Sequence, residues 1–208
     1  MSSLTHQVSP PFVVVLLPTQ PHHLLKKGNK MIDKHIIQKQ ILEHLKEAPL
    51  GPDQESWLSE FHSSERVVHL TGKRASGRSS FGVGLISTSM LLNVDQHFAI
   101  FVNSAGDASF KLARVKEYLE RSTAFITQLF GFKLEYPIIR ANKSEVILNN
   151  NSRVFVISNP NRLSGMTLNG AFIDLWNTRT MEDLNQDLLA SILPCLFPPA
   201  KLIISLGE

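Results

Sequence analysis

Residues 66–80 read R-V-V-H-L-T-G-K-R-A-S-G-R-S-S. A short apolar, β-branched run leads into a loop with two glycines, and the residues that follow bring apolar side chains back at helical spacing. That order predicts a strand, a loop and a helix. Gly72 and Gly77 stand at the G-x-x-x-x-G spacing of a phosphate-binding loop, and Ser79 takes the place of its terminal hydroxyl. The lysine position of that pattern holds Arg78. Arginine keeps the charge, but its planar fork does not replace a compact ammonium. Lys73, near the start of the loop, is the alternative cation. Loop amides and the first turn of a helix hold phosphate whatever the side chains are. The candidate nucleotide-binding residues are therefore Gly72, Lys73, Arg74, Ala75, Ser76, Gly77, Arg78, Ser79 and Ser80. The same residues also suit a plain glycine turn with its basic side chains in water.

Around this segment, apolar residues recur at helical spacing over residues 31–47, 79–92 and 105–130, and shorter helices are predicted over 54–62 and 181–193. Runs rich in β-formers predict strands over 98–102, 145–148, 153–157, 170–175 and 201–206. Asn149, Asn150 and Asn151 join two of them, and asparagine tolerates positive φ, so a hairpin is expected there. Strands alternating with helices predict an α/β fold with a mostly parallel sheet flanked by helices. In such sheets ligands bind beyond the carboxyl ends of the strands.

With 208 residues, 43% of them hydrophobic and 19% charged, the chain has room for one full core and is neither disordered nor collagen-like. A formal charge of +3 without a dense basic block permits nucleic-acid contact but does not argue for it. Cys195 is the single cysteine, which excludes an internal disulfide and a cysteine-based zinc site. The apolar run 12–17 is too short to span a membrane, lacks the flanks of a signal peptide, and reads as a buried strand. His22 and His23 are adjacent and not at metal-binding spacing. Trp57 and Trp176 read as packing anchors, and Arg162 as a solvated loop residue.

Taken in order, several segments between residues 52 and 208 resemble the ATPase domain of the large terminase subunit, the motor that packs viral DNA in tailed phages and herpesviruses. They are PDQESWLSEFHSSERVVHLTGKRASGRSS, FAIFVNSAGDASFKLARVKEYLE, NSRVFVISNPNRLSGMTLNGAFIDLWN and KLIISLGE. The resemblance implies a P-loop NTPase fold of the ASCE type with a β-hairpin insertion. Residues 1–50 would then form an appendage of a strand and an amphipathic helix, and residues 51–208 the ATPase domain. It places Gln54 where the family reads adenine and Arg74 at the arginine implicated at the γ-phosphate. It gives Ser79 and Asp174, the latter at the end of the apolar strand, the magnesium ion. Without the glycine loop Asp174 reads as a cap at a strand end; with it, the magnesium role is favoured. ATP and magnesium are the implied cofactors. Other terminase-like subunits, the capsid portal and double-stranded DNA are the implied partners of an oligomer without a membrane anchor, working in the host cytoplasm or nucleus.

Two departures fall on chemically demanding positions. Arg78 replaces the loop lysine, and Leu175 replaces the glutamate that orients the attacking water. A leucine neither accepts a proton nor orients a hydroxyl. Glu182 and Asp183 are the nearest later carboxylates. Ser164-Gly165 stands where Arg-Gly is usual, and Ser205 is what remains of the coupling motif. The expectation is a degenerate ATPase acting as a structural or regulatory subunit. The alternatives are an active DNA translocase and a nucleotide sensor of helicase or recombinase type.

Overall fold

The computed structural model describes residues 26–27, 30–31, 33–73, 76–131, 137–163, 165–175, 184 and 186–206. The run 12–17, Trp176, Glu182, Asp183 and the beginning of the helix expected over 181–193 lie outside them. The chain divides into two units, Met1–Ile32 and Asp33–Glu208. In the first, β1 (Lys26–Lys27) pairs antiparallel with β2 (Lys30–Met31). The second carries the rest.

Helix α1 (Lys34–Lys46) starts at Asp33, whose carboxylate accepts the His35 N–H at 2.9 Å. The sequence groups this helix with residues 1–50, yet it falls in the second unit and packs on later helices. The reason is its stripe of Ile37, Ile41, Leu42 and Leu45, all buried. After α2 (Pro52–His62) come β3 (Val67–Leu70), α3 (Arg78–Leu92), β4 (His97–Phe101) and α4 (Ala105–Phe130). Three strands follow, β5 (Ile138–Ala141), β6 (Glu145–Leu148) and β7 (Arg153–Ile157), then a 3-10 turn at Pro160–Leu163 and β8 (Leu168–Ile173). Helix α5 (Gln186–Ile192), a second 3-10 turn (Leu193–Cys195) and β9 (Leu196–Ser205) end the fold.

Seven strands form one sheet in the order β3-β9-β8-β4-β7-β6-β5. The first five run parallel, while β6 and β5 add antiparallel at one edge. The β6–β7 hairpin turns on Asn151 at φ +62°, as its asparagines predict. Asn150 also donates from this turn to Met90 O at 2.7 Å and Asn93 O at 2.8 Å, tying it to the end of α3.

Side chains alternate across the sheet. One face carries Ala99, Phe101, Ala171, Ile173, Leu202 and Ile204 and packs with Leu188 and Ile192 of α5. The opposite parity includes Phe172, which meets α3 at Gly82: a Cβ there would lie 2.4 Å from the ring's Cζ. This glycine lets α3 lie directly on β8. Helices α1, α3 and α4 pack against one another in that layer.

Two strands differ from their sequence outline. Residues 138–141 gave no alternation because this edge strand is mostly exposed. Strand β9 starts at Leu196, before its two prolines. Leu168 pairs with Leu196 and Gly170 with Lys201, so Pro198 and Pro199 fall in a register shift where no ladder donor is required.

Between α1 and α3 the Gln38 side chain is buried and satisfied. Its amide donates to Leu85 O (3.1 Å), Thr88 Oγ1 (2.7 Å) and Ser89 Oγ (3.2 Å), and its oxygen accepts from His62 Nε2 at 2.7 Å. His62 stacks on His35 with ring centroids 4.7 Å apart. Partial withdrawal of the His62 ring from water lowers its pKa below 6.5. The charges of His35 and Lys201 lower it further, and Asp33 opposes them.

Two outcomes follow. Gly82→Ala drives a methyl into the Phe172 ring and lowers stability by about 1–3 kcal/mol in chemical denaturation. For His62, the unfolded chain takes up the proton first on acidification, so the contribution is fully present above pH 6.5 and lost as pH falls through the lower folded value. Wild type therefore loses more stability than His62→Gln between neutral and mildly acidic pH, measured by thermal melts.

Candidate functional site

The carboxyl end of β3 leads directly into the glycine loop, and the loop ends in the first turn of α3. Gly72 takes φ +137° and Gly77 φ +82°, conformations that L side chains rarely adopt. Gly77 is the residue before α3, where no side chain caps the helix and no acidic residue stands in the first turn. By contrast, Asp33 caps α1 and Ser104 caps α4, the latter accepting the Asp107 N–H at 3.1 Å. The first intrahelical bond of α3 is Phe81 N to Gly77 O at 2.8 Å. The amides of Arg78, Ser79 and Ser80 therefore have no partner within their own helix. Such amides and the helix dipole favour an anion.

The side chains around this turn divide into several roles. Arg78, in the lysine position, folds back and its Nη1 donates to Gly72 O across the loop. Ser76 Oγ is buried with no hydrogen-bond partner among the described residues. Lys73 is exposed, Ser80 lies at the solvent-facing rim, and Arg74 and Ala75 lie outside the described residues, as does Ser164.

Asp174 follows β8 and has the same parity as Phe172, so its carboxylate comes out on the α3 side of the sheet. Ser79 Oγ donates to Asp174 Oδ2 there. The strand β9 separates β3 from β8, yet the loop and this aspartate meet because α3 crosses over the sheet. A third residue joins them. The ammonium of Lys111, on α4, pairs with Asp174 Oδ2 and donates to Ser79 Oγ. The Lys111 and Asp174 side chains are only 14% and 9% exposed. A hydroxyl and a carboxylate are the right donor types for magnesium. Ser79 Oγ and Asp174 Oδ2 are both engaged by the ammonium, however, so in this arrangement these two atoms are not open to a divalent cation. Among the described residues no group of three or more His, Cys, Asp or Glu is placed to hold a metal ion.

Lys111 does not stand out in the sequence, because a lysine in a long amphipathic helix reads as solvated. A signal was nevertheless present. Lys111 lies three residues after Ala108 and four before Val115, both buried, so it sits on the inward stripe of α4.

Beside the loop, a cavity of about 220 Å³ opens between α1, α2 and α3. Leu42, Leu45, Phe81 and Tyr118 provide its apolar wall, and Ser76, Gly77, Ser80 and Gln54 its polar rim. Gln54 is the third residue of α2. Its Oε1 accepts from Gly51 N at 3.1 Å and from Lys46 Nζ at 2.8 Å. Its Nε2 stands 3.6 Å from where a Cβ on Gly77 would be. Part of this side chain thus caps its own helix, and part faces the loop.

Leu175 is of the other parity. It packs, partly buried, against the apolar cluster on the α5 face of the sheet, next to Ile173. Ser205 is buried at the end of β9, where Leu206 N donates to Leu70 O at 3.1 Å. Arg162 is exposed, as expected.

No protein-family model and no curated protein matches the chain. Solved structures do. The large terminase of bacteriophage HK97 superposes with a TM-score of 0.56 at 13% identity, covering 84% of this chain and 38% of that one. A variant of the large terminase ATPase domain of Thermus phage P74-26 superposes with a TM-score of 0.55 at 14% identity, over 80% of this chain and 67% of that one. The unaltered Thermus phage domain gives 0.54 at 13% identity. The chain thus spans well under half of the HK97 protein's length. With its loop between β3 and α3, its parallel sheet and its antiparallel edge, it has the fold of the phage large-terminase ATPase domains.

Proposed function

We propose that this chain is a nucleotide-binding, hydrolysis-deficient domain of a viral DNA-packaging assembly, serving as a structural or regulatory subunit. One observation carries the reading: the first turn of α3 after Gly77, with no side-chain cap, presents amides without an intrahelical partner beside a Ser79–Asp174 pair, the arrangement that grips a triphosphate. The adjoining apolar cavity is where a base attached to that triphosphate would sit, with the Gln54 amide at its rim. The partners that fit this reading are other terminase-like subunits, a portal and duplex DNA, in an oligomer inside the host cell. Among the described residues, no helix is long and apolar enough to cross a membrane.

The deficiency is argued from position 175. Hydrolysis needs a group that orients water at the γ-phosphate, and the absence of such a group costs about 10²–10⁴ in rate. The Leu175 side chain instead packs in the apolar layer on the far face of the sheet. Arg78 stitches the loop and does not lie along the Ser79–Asp174 pair. Both features separate this reading from an active translocase.

The test is a fluorescent ATP analogue titrated onto the chain, with phosphate release measured in parallel. We expect saturable binding that Gly77→Val abolishes, because a branched side chain at φ +82° distorts the turn. We expect turnover far below about 1 s⁻¹, the low end of ordinary enzyme rates. Turnover at that level, abolished by Asp174→Ala, would falsify the deficiency, and an absence of binding by a folded chain would remove the nucleotide.

Restoring a carboxylate gives a further outcome. Leu175→Glu should not recover activity, and it should lower the melting temperature, because it exchanges apolar contact for a charge facing the α5 cluster.

A further inference from the structure

We propose that Lys111 is the resident cation of this site, filling the place between Ser79 and Asp174 where a divalent ion would otherwise bridge, so that the turn accepts polyphosphate without a divalent metal. The part concerning polyphosphate rests on the nucleotide-binding reading above; the part concerning the metal does not.

The geometry is specific. Lys111 Nζ contacts Ser79 Oγ and Asp174 Oδ2, one oxygen from each of the two residues that the resemblance gives to the ion. A magnesium ion needs such oxygens at about 2.0–2.1 Å, and an ammonium held between them leaves no such approach. The two cations would also repel at short range in a largely desolvated place. They are therefore alternatives at one position.

Charge and hydrogen-bond capacity support the exchange. An ammonium has three donors and no acceptor. Among the described residues Lys111 donates to Ser79 and pairs with Asp174, and its third donor would serve an anionic oxygen held by the α3 amides. The aspartate is neutralised by one positive charge without an ion from solution. Among the described residues of the loop, Arg78 is turned onto Gly72 O and Lys73 is exposed, so neither stands between Ser79 and Asp174. Helix α4 holds the lysine in place through its neighbours Ala108, Leu112 and Val115, which are buried. Lys111 thus provides from another helix a compact cation beside Ser79, where the loop's lysine position holds Arg78.

Two measurements on the intact chain test this. The first uses Mn²⁺ alone and reads paramagnetic broadening of backbone amides. In Lys111→Met, amides near Ser79 and Asp174 should broaden at Mn²⁺ concentrations that leave the wild type and Lys111→Arg unchanged. Wild-type broadening equal to that of the methionine variant overturns the proposal. So does a folded methionine variant that shows none. Should that variant not fold, broadening of the wild-type site alone still overturns it, and protection of the wild type alongside Lys111→Arg supports it. The second measurement is binding of a fluorescent ATP analogue in EDTA or in Mg²⁺. The wild type should bind equally well in both. Lys111→Met should bind weaker by about tenfold or more in EDTA, the loss expected for one charge-assisted hydrogen bond, and recover in Mg²⁺. Wild-type binding that collapses in EDTA overturns the proposal. If no variant binds nucleotide in either buffer, the nucleotide reading falls, and the Mn²⁺ result alone decides the role of Lys111.

Discussion

Helix α3 has to touch the sheet with its backbone. At Gly82 it lies so close to β8 that a methyl group would overlap the Phe172 ring. The second glycine of the same turn, Gly84, does the same toward α1, where a Cβ would lie 2.8 Å from Leu42 Cδ2. With both neighbours this near, the start of α3 has little freedom of position. It is set over the end of β8, which is why a serine in its first turn reaches an aspartate in a strand that is not adjacent to β3. Without that approach, the loop would be a turn between two elements and Asp174 a strand-end carboxylate.

The parity of β8 then decides what each residue at its end can do. Phe172 and Asp174 emerge on the α3 side, Ile173 and Leu175 toward α5. One position after the aspartate, the chain is already committed to the apolar layer. The leucine there is consequently a packing residue. On the other side, the charge arrangement is economical. One buried carboxylate meets one ammonium, and the hydroxyl between them bonds to both. Removing one partner of such a pair leaves the other desolvated and uncompensated, which is costly. The cluster is thus a structural tie between α3, α4 and β8 as well as the floor of the proposed site.

Much of the fold was legible in the residues. The helix over 105–130 declared itself by its apolar stripe; in the structure Ser104 caps its start and Gly131, at φ +70°, its end. The hairpin was legible because asparagines accept the backbone conformation that the turn needs. The edge strand at residues 138–141 was not, since an exposed strand carries little alternation to read. The site was half legible. Glycine spacing located the loop and an apolar run located the aspartate. Arg78 stands in the lysine position without replacing its ammonium, and only the structure showed that its guanidinium closes the loop onto Gly72 O.

The sequence alone determined most of the alternation of strands and helices, the glycine turn and the end of the strand at Asp174, because these depend on local backbone preference and on periodicity within one element. Only the tertiary structure decided that Ser79, Asp174 and Lys111 share one place. They come from three elements, 95 residues apart between the serine and the aspartate, and their meeting depends on how closely one helix packs on the sheet and which way a second helix turns its stripe. A lysine on a helix face is chemically ambiguous until the opposing surface is known. The carboxylate that faces it here gives it a specific role.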